Sequence, residues 1–363
     1  MKKTKKTRAA QITPVVGFIA ILAVIGFMFI ACDEDKGDGE KLLTISGAFG
    51  GAVIGGEKCP VIIRVRFEYD EMEVKLGKNE TNWSIEHYTF KDAQPLWFEV
   101  DILAAGDDEQ GNTENKIITY QYDIKKQIKN SNITGIALPA INITNTIKLS
   151  GTVSTELNGN WMNNNYWRKI QVVKSGVQGN PNITNPLDKT WKSATGFIMN
   201  DGTWEVIIPS SSTDTGITFS VQLGYSEKES EAKPYGIWAM GKINKLNAMD
   251  VKDTDVSDIA LGNQKFVVLS GDTPVIVNGK RPLLYRFEFG YYSGQNSNGW
   301  SGTTQFLYEG SAWSIPMPAD IYLEPSITFY EKDRRQFRFH RGISNTFQTG
   351  NEAKNVDLGS HSF

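Results

Sequence analysis

Three times along the chain an apolar residue followed by Ser-Gly opens a run of short alternating segments: Ile45-Ser46-Gly47, Leu149-Ser150-Gly151 and Leu269-Ser270-Gly271. The glycines stand about 104 and 120 residues apart, a domain-sized period. Each Ser-Gly is followed by a segment led by tryptophan, at Trp83, Trp204 and Trp313. A second alternating segment comes next, Leu96 to Ile102, Ile217 to Leu223 and Ile327 to Tyr330. Each copy closes on a similar phrase. Ile133-Thr134-Gly135-Ile136-Ala137-Leu138 closes the first, Val256-Ser257-Asp258-Ile259-Ala260-Leu261-Gly262 the second and Asn355-Val356-Asp357-Leu358-Gly359 the third. The chain must therefore fold as one plan built three times.

That plan is all-β. From Lys41 onward no long segment shows helical periodicity, and short runs of Val, Ile, Thr, Phe, Tyr and Trp alternate with Gly, Asn, Asp and Ser clusters. A unit of this length is the size of one antiparallel, Ig-like β-sandwich, which can bury its own core. The expected organisation is three tandem sandwiches at 42–143, 144–264 and 265–363. Period-two alternation puts Phe219, Val221 and Leu223 on a core face and Thr218, Ser220 and Gln222 on the other. Trp204, Val206 and Ile208 alternate likewise, so the recurrent tryptophan is expected to plug each core.

The N-terminus follows a different logic. Five basic residues lie between Lys2 and Arg8, an uncharged and mostly apolar run fills Val15 to Ala31, and Asp33, Glu34 and Asp35 follow Cys32 at once. This order describes a secretory signal peptide over 1–31. Phe29-Ile30-Ala31-Cys32 resembles the lipobox of bacterial lipoproteins, with Phe29 in place of the usual Leu. The resemblance implies lipidation of Cys32 by diacylglycerol and a further acyl chain such as palmitate, and a place on the cell envelope, in the outer membrane. An uncleaved membrane anchor is the alternative for this stretch. Residues 32–41 then form an acidic, Gly-containing tether. Cys59 is left without a partner and is expected as a buried thiol.

The second copy carries a further likeness. Leu149-Ser150-Gly151-Thr152-Val153, Asn158-Gly159 and Asp201-Gly202-Thr203-Trp204-Glu205-Val206 resemble the opening strand and later turn of the prealbumin-like or carboxypeptidase-regulatory-like sandwich. The third copy keeps Asn278-Gly279 and Gly310-Ser311-Ala312-Trp313; the first lacks a clean Asn-Gly. The resemblance implies a scaffold or binding module and no catalytic residue.

Chemistry finds little support. The net charge of −3, with 38 Lys+Arg against 41 Asp+Glu, argues against nucleic acid as a partner. His87, His340 and His361 are scattered, and no HExxH, Cys-x-x-Cys or Gly-x-Ser-x-Gly occurs. No enzyme, cofactor or metal is expected. Asp250, Asp253, Asp255 and Asp258 would offer hard oxygen ligands to calcium, but their spacing is not that of an EF-hand loop, and turn capping is the preferred reading. Gly50, Gly51, Gly55 and Gly56 read as a hairpin.

The candidate binding residues are aromatics set among amides and glycines. Trp161, Tyr166, Trp167 and Trp191 lie in an Asn-rich insertion of the second copy, and Tyr291, Tyr292 and Trp300 in a similar stretch of the third. Flat aromatics flanked by amides suit sugar rings, and the same composition suits adaptable protein-binding loops. Packing between units is the plainer alternative. The expected function is non-enzymatic: a lipid-anchored envelope lipoprotein acting as an adhesive or interaction module through loops of the second and third copies. A carbohydrate-binding lipoprotein of a glycan-uptake system and a purely structural envelope protein are the alternatives.

Overall fold

A computed structural model describes residues 42–67, 71–88, 93–104, 116–159, 166–175, 189–210, 215–227, 237–273, 275–277, 282–291, 306–307, 312–331, 339–343, 347–357 and 360–362. The first copy holds β1 (Leu42–Phe49), β2 (Ala52–Ile54), β3 (Glu57–Cys59), β4 (Val61–Arg66) and β5 (Glu71–Leu76). It continues with β6 (Asn82–Tyr88), β7 (Gln94–Ala104), β8 (Lys116–Ile128), β9 (Ile133–Leu138) and β10 (Ile141–Ile143). The second holds β11 (Thr146–Asn158), β12 (Trp167–Lys174), β13 (Lys189–Phe197), β14 (Thr203–Pro209), β15 (Thr215–Glu227) and β16 (Ile237–Val251). Then comes β17 (Val256–Asp272), followed in the third copy by β18 (Val275–Val277), β19 (Pro282–Tyr291), β20 (Phe306–Leu307) and β21 (Ala312–Pro318). The last elements are β22 (Tyr322–Glu331), β23 (Phe339–Ile343), β24 (Phe347–Gln348), β25 (Lys354–Asn355) and β26 (Ser360–Ser362). The chain is all-β.

The recurrent residues meet one another. Gly47 lies opposite Trp83, Gly151 opposite Trp204 and Gly271 opposite Trp313 in antiparallel pairing of opening strand with Trp strand. The closing phrase runs parallel on the other side of the opening strand in each copy. There its backbone comes so close that a side chain on the glycine would collide. A Cβ would lie 1.9 Å from the Ile136 carbonyl oxygen at Gly47, 1.9 Å from that of Ile259 at Gly151 and 2.5 Å from that of Val356 at Gly271. The first two approaches sit at a break in register, where Gly135 and Asp258 take positive φ (70° and 59°). Asp is one of the few residues that tolerates that conformation, by bonding its own backbone region.

The tryptophans plug the cores as expected. Trp83, Trp204 and Trp313 are buried, as are Phe219, Val221 and Leu223. The Trp83 ring stands 6.0 Å from Phe98, and Trp204 stands 5.6 Å from Phe219, the same pair in two copies. Tilted aromatic pairs at this range add to the area they bury.

The copies are not separate beads. The second sheets of copies one and two join edge to edge as β16-β15-β12-β13-β8-β7-β4-β5, through antiparallel pairing of β8 with β13. Their apolar residues form one continuous core. The boundary expected near residue 264 falls inside β17, whose first half closes copy two beside β11 and whose second half opens copy three beside β21. Copy three has its own core of Leu269, Trp313, Ile315, Met317, Leu323 and Val356, which Ala239 from β16 enters. Alternation sets which face of a strand is buried but is silent on which edge it joins, so sheets can run through a boundary that periodicity draws.

Candidate functional site

A cleft of about 390 Å³ opens at one end of copy two. Its walls come from both layers: Thr152, Ser154 and Thr155 of β11, Arg168 of β12, and the hairpin bearing Asn200, Asp201 and Gly202. The cleft exists because β11 and β17 fall out of register between Thr152 and Ser154, with Gly262 at φ 69° on the facing strand. The hairpin is the predicted Asp-Gly turn. Asp201 accepts from the Thr203 backbone N–H (2.9 Å) and hydroxyl (2.6 Å), and Gly202 takes φ 83°. Those bonds, led by the Thr203 hydroxyl, hold the Asp201 carboxyl below its usual range. Arg168 donates to Asn200 Oδ1 at 2.8 Å. Thus an ionised carboxylate, a guanidinium, an amide and hydroxyls line one opening, the equipment for recognising a polyhydroxylated or charged ligand. Tyr166 lies just ahead of β12 and is 36% exposed.

The outer face of the eight-stranded sheet carries a second polar arrangement. Lys192 Nζ lies 2.5 Å from Glu99 Oε1, and Arg66 lies 3.4 Å from the same oxygen. Arg64 lies 2.9 Å from Asp101, which also accepts from the Thr119 hydroxyl at 2.7 Å. Further along, Gln171 Oε1 accepts from both Lys242 Nζ (2.6 Å) and Gln222 Nε2 (3.1 Å). Burial works against the charge on Glu99, yet Lys192 and Arg66 outweigh it and hold the carboxyl below its usual range. At Asp101 burial wins over Arg64 and pushes the carboxyl up. Burial, helped by the like charge of Lys192, brings Lys242 down to about 8. Gln222, Ser220, Glu99 and Asp101 do face away from the apolar core, as alternation requires, but all four are buried.

The structure separates the predicted aromatics. Tyr166 is exposed just ahead of β12, whereas Trp167 is the first residue of that strand. Trp167 is half-buried on the outer face, where Gly224 leaves room for its ring and Lys169 Nζ stands 4.6 Å above it. Trp191 is buried within the core shared by copies one and two, with Lys174 Nζ 5.8 Å from its ring, so it presents no free face. Trp161, Tyr292, Trp300 and Cys32 lie outside the described residues, and Tyr291 is described only as the end of β19. Sequence reasoning missed Arg168 and the exposed Trp97, which stands opposite Arg66 on the outer face. The alternation Trp97, Glu99, Asp101 is the signal that would have found it.

Other candidates resolve into structure. Asp255 accepts from the Lys148 N–H at 2.7 Å, as Asn132 accepts from the Thr44 N–H at the matching place in copy one. Asp253 accepts from the Ser210 hydroxyl at 2.6 Å and Asp258 from the Ser257 hydroxyl at 2.8 Å. Among the described residues no three acidic, His or Cys side chains converge as metal ligands do. Gly55 and Gly56, both at positive φ, turn the β2–β3 hairpin. His87 is buried with its ring 4.8 Å from Phe67. Cys59 is a half-buried free thiol rather than a fully buried one, and burial pushes its pKa up.

No family model matches the chain, and no curated protein does. Solved structures share features of it at low similarity. A leucine-rich repeat protein from Bacteroides thetaiotaomicron is 8% identical over 61% of this chain, with a TM-score of 0.19. The Bacillus anthracis TIE protein is 10% identical over 89% of this chain, with a TM-score of 0.16. The chain spans 27% and 50% of those two proteins' lengths. The tip fimbrial protein Mfa3 from Porphyromonas gingivalis, C-terminally truncated, is 9% identical over 84% of this chain and 99% of its own, with a TM-score of 0.19. At such values the likenesses assign no residue a role.

Proposed function

We propose that the protein is a non-enzymatic interaction module of the bacterial envelope, held by a lipid on Cys32 in the outer membrane and displayed on the cell exterior. The observation that supports this most is the fusion of three copies through shared sheets and one shared strand. Such a body holds the contact groups of its copies in fixed relation to one another. The sequence offers no catalytic constellation to set against that reading. Protease shaving of intact cells tests it: cleavage of the full chain is expected, and full protection behind the outer membrane would refute adhesion. Cys32→Ser should abolish labelling by a palmitate analogue, and labelling that persists would refute the lipid anchor.

The cleft favours one second reading, that the ligand is a glycan. Arg168, Asn200 and Asp201 would take hydroxyls or an acidic group, and the exposed Tyr166, two residues before Arg168, would offer a ring to the same ligand. Tyr166→Ala and Arg168→Ala change exposed or half-exposed groups and should leave stability within ~0.5 kcal/mol. On a glycan array each should weaken any signal of the full chain by about tenfold or more. An array on which the full chain gives no signal rules the glycan reading out.

A further inference from the structure

The outer face of the shared eight-stranded sheet carries one layout twice, with acids in only one of its halves. Phe98 and Phe219, which pack against the tryptophans Trp83 and Trp204, stand at equivalent places in β7 and β15. Glu99 and Asp101 therefore answer to Ser220 and Gln222. Their neighbours answer to one another too. Arg64 lies opposite Glu99 as Gln171 lies opposite Ser220, and Thr119 lies opposite Asp101 as Lys242 lies opposite Gln222. In copy one the Asp101 carboxylate sits between the Arg64 guanidinium at 2.9 Å and the Thr119 hydroxyl at 2.7 Å. In copy two an amide stands in place of that carboxylate, and a lysine in place of the threonine.

Lys242 thus keeps a half-buried ammonium beside neutral groups. It donates to Gln171 Oε1, which also accepts from Gln222 Nε2, and among the described residues no carboxylate pairs with it. Burial and the like charge of Lys192 both work against that ammonium. A charge kept against its own desolvation, without the counter-charge that the sister copy provides, marks a place for a ligand's charge. The adjoining row points to what carries it. Trp167, Gly224 and Met240 lie opposite one another, two residues or about 7 Å along the strands from Lys169, Gln222 and Lys242. The half-buried Trp167 ring lies over Gly224, with Lys169 Nζ 4.6 Å from it. An indole one row from a lysine and an amide suits a sugar ring that bears a carboxylate.

We propose that this face of copy two binds a uronic-acid glycan, whose carboxylate takes on Lys242 and Gln222 the place that Asp101 fills in copy one. The sugar ring lies toward Trp167. Copy one, which carries its own carboxylates, does not bind it. The site goes beyond the display role proposed above and shares no residue with the cleft.

Calorimetric titration of the full chain in mild detergent tests this, with tetragalacturonate set against maltotetraose and acetate. Tetragalacturonate should bind about tenfold or more tightly than either. Gln222→Glu gives copy two the acid of copy one, and Lys242→Met removes the cation. Each should weaken tetragalacturonate by about tenfold or more. Lys265→Met, which removes a charge from an exposed place on β17, should leave its binding as it is. The Gln222→Glu chain should melt no lower than the native one, because Lys242 gains a counter-charge. No binding of tetragalacturonate up to about 5 mM overturns the proposal. So does binding that survives both variants, or acetate or maltotetraose binding as tightly. Surface display is read separately by shaving, and the cleft by Arg168→Ala.

Discussion

The two joints between copies are built from different materials. Between copies one and two the backbone path is broken: β9, β10 and β11 are separate pieces, interrupted at Pro139-Ala140 and at Thr144-Asn145. The joint is made laterally, by β8 on β13, by Lys192 on Glu99 and by a common apolar core. Between copies two and three the chain does not break; β17 runs for 17 residues through the boundary. Here the lateral contact is tight packing of β16 on β21, and the Asn158 side chain donates to the Asn351 carbonyl at 2.8 Å. The first joint thus adds a strand pairing of fixed register and an ion pair to its apolar core, while the second relies on continuity and steric fit. One consequence is cooperativity: copies one and two should melt together, and copy three, with its own core, apart from them.

The largest test of that contrast is Gly241→Val. A Cβ at this position would lie 1.7 Å from the Pro316 carbonyl oxygen. The cost should exceed ~4 kcal/mol. Calorimetry should show the transition of copy three falling by about 15 °C or more while that of the fused pair holds. A single transition moving as a whole would show that the division is wrong.

Lys192→Met attacks the other joint. It leaves the buried Glu99 carboxylate with Arg66 at 3.4 Å, and it should cost about 2 kcal/mol, less than a fully buried pair because Lys192 is partly exposed. Glu99 is depressed below its ordinary 4.5, so its contribution is present above that pH and is lost as pH falls through the lower folded value. Urea titrations from pH 6 to 3 should show a steeper loss for the native chain than for the variant.

The smallest effect has the opposite sign. Lys242 carries a proton in the folded state only below about 8, against 10.5 when unfolded. Stability contributed here should therefore rise as pH climbs from about 8 to 10.5, because the unfolded chain binds the extra proton. Lys242→Met should stabilise copies one and two by about 1 kcal/mol at pH 7 and by nothing near pH 10. A loss of stability at pH 7 would mean that the bond to Gln171 outweighs the burial of the charge.

The order of elements, the buried tryptophans and the Asp201-Gly202 turn were all legible in the sequence, because period-two alternation and turn chemistry are local. The reason for the repeated glycine was not. It depends on the carbonyl oxygens of Ile136, Ile259 and Val356, which are far along the chain and reach the glycine only in the folded sheet. The cleft was hidden for a similar reason, since Arg168 and Asp201 meet across two layers. Tyr166 and Trp167 looked like one binding cluster by composition, yet Tyr166 is exposed ahead of β12 while Trp167 is half-buried on it. Lys242 gave no sign of burial because a lysine on an outward position normally reaches water.

Strand β17 also fixes how the molecule would respond to force. Drawing copy three away from copy two along the chain would slide β17 lengthwise past β11, against which it is paired from Val256 to Val267. The hydrogen bonds of that parallel pair would be strained side by side and would have to give way together, rather than opening one after another from an end. A tug on the far copy would meet a clamp in shear, and the lifetime of that clamp would be set by its rate of rupture.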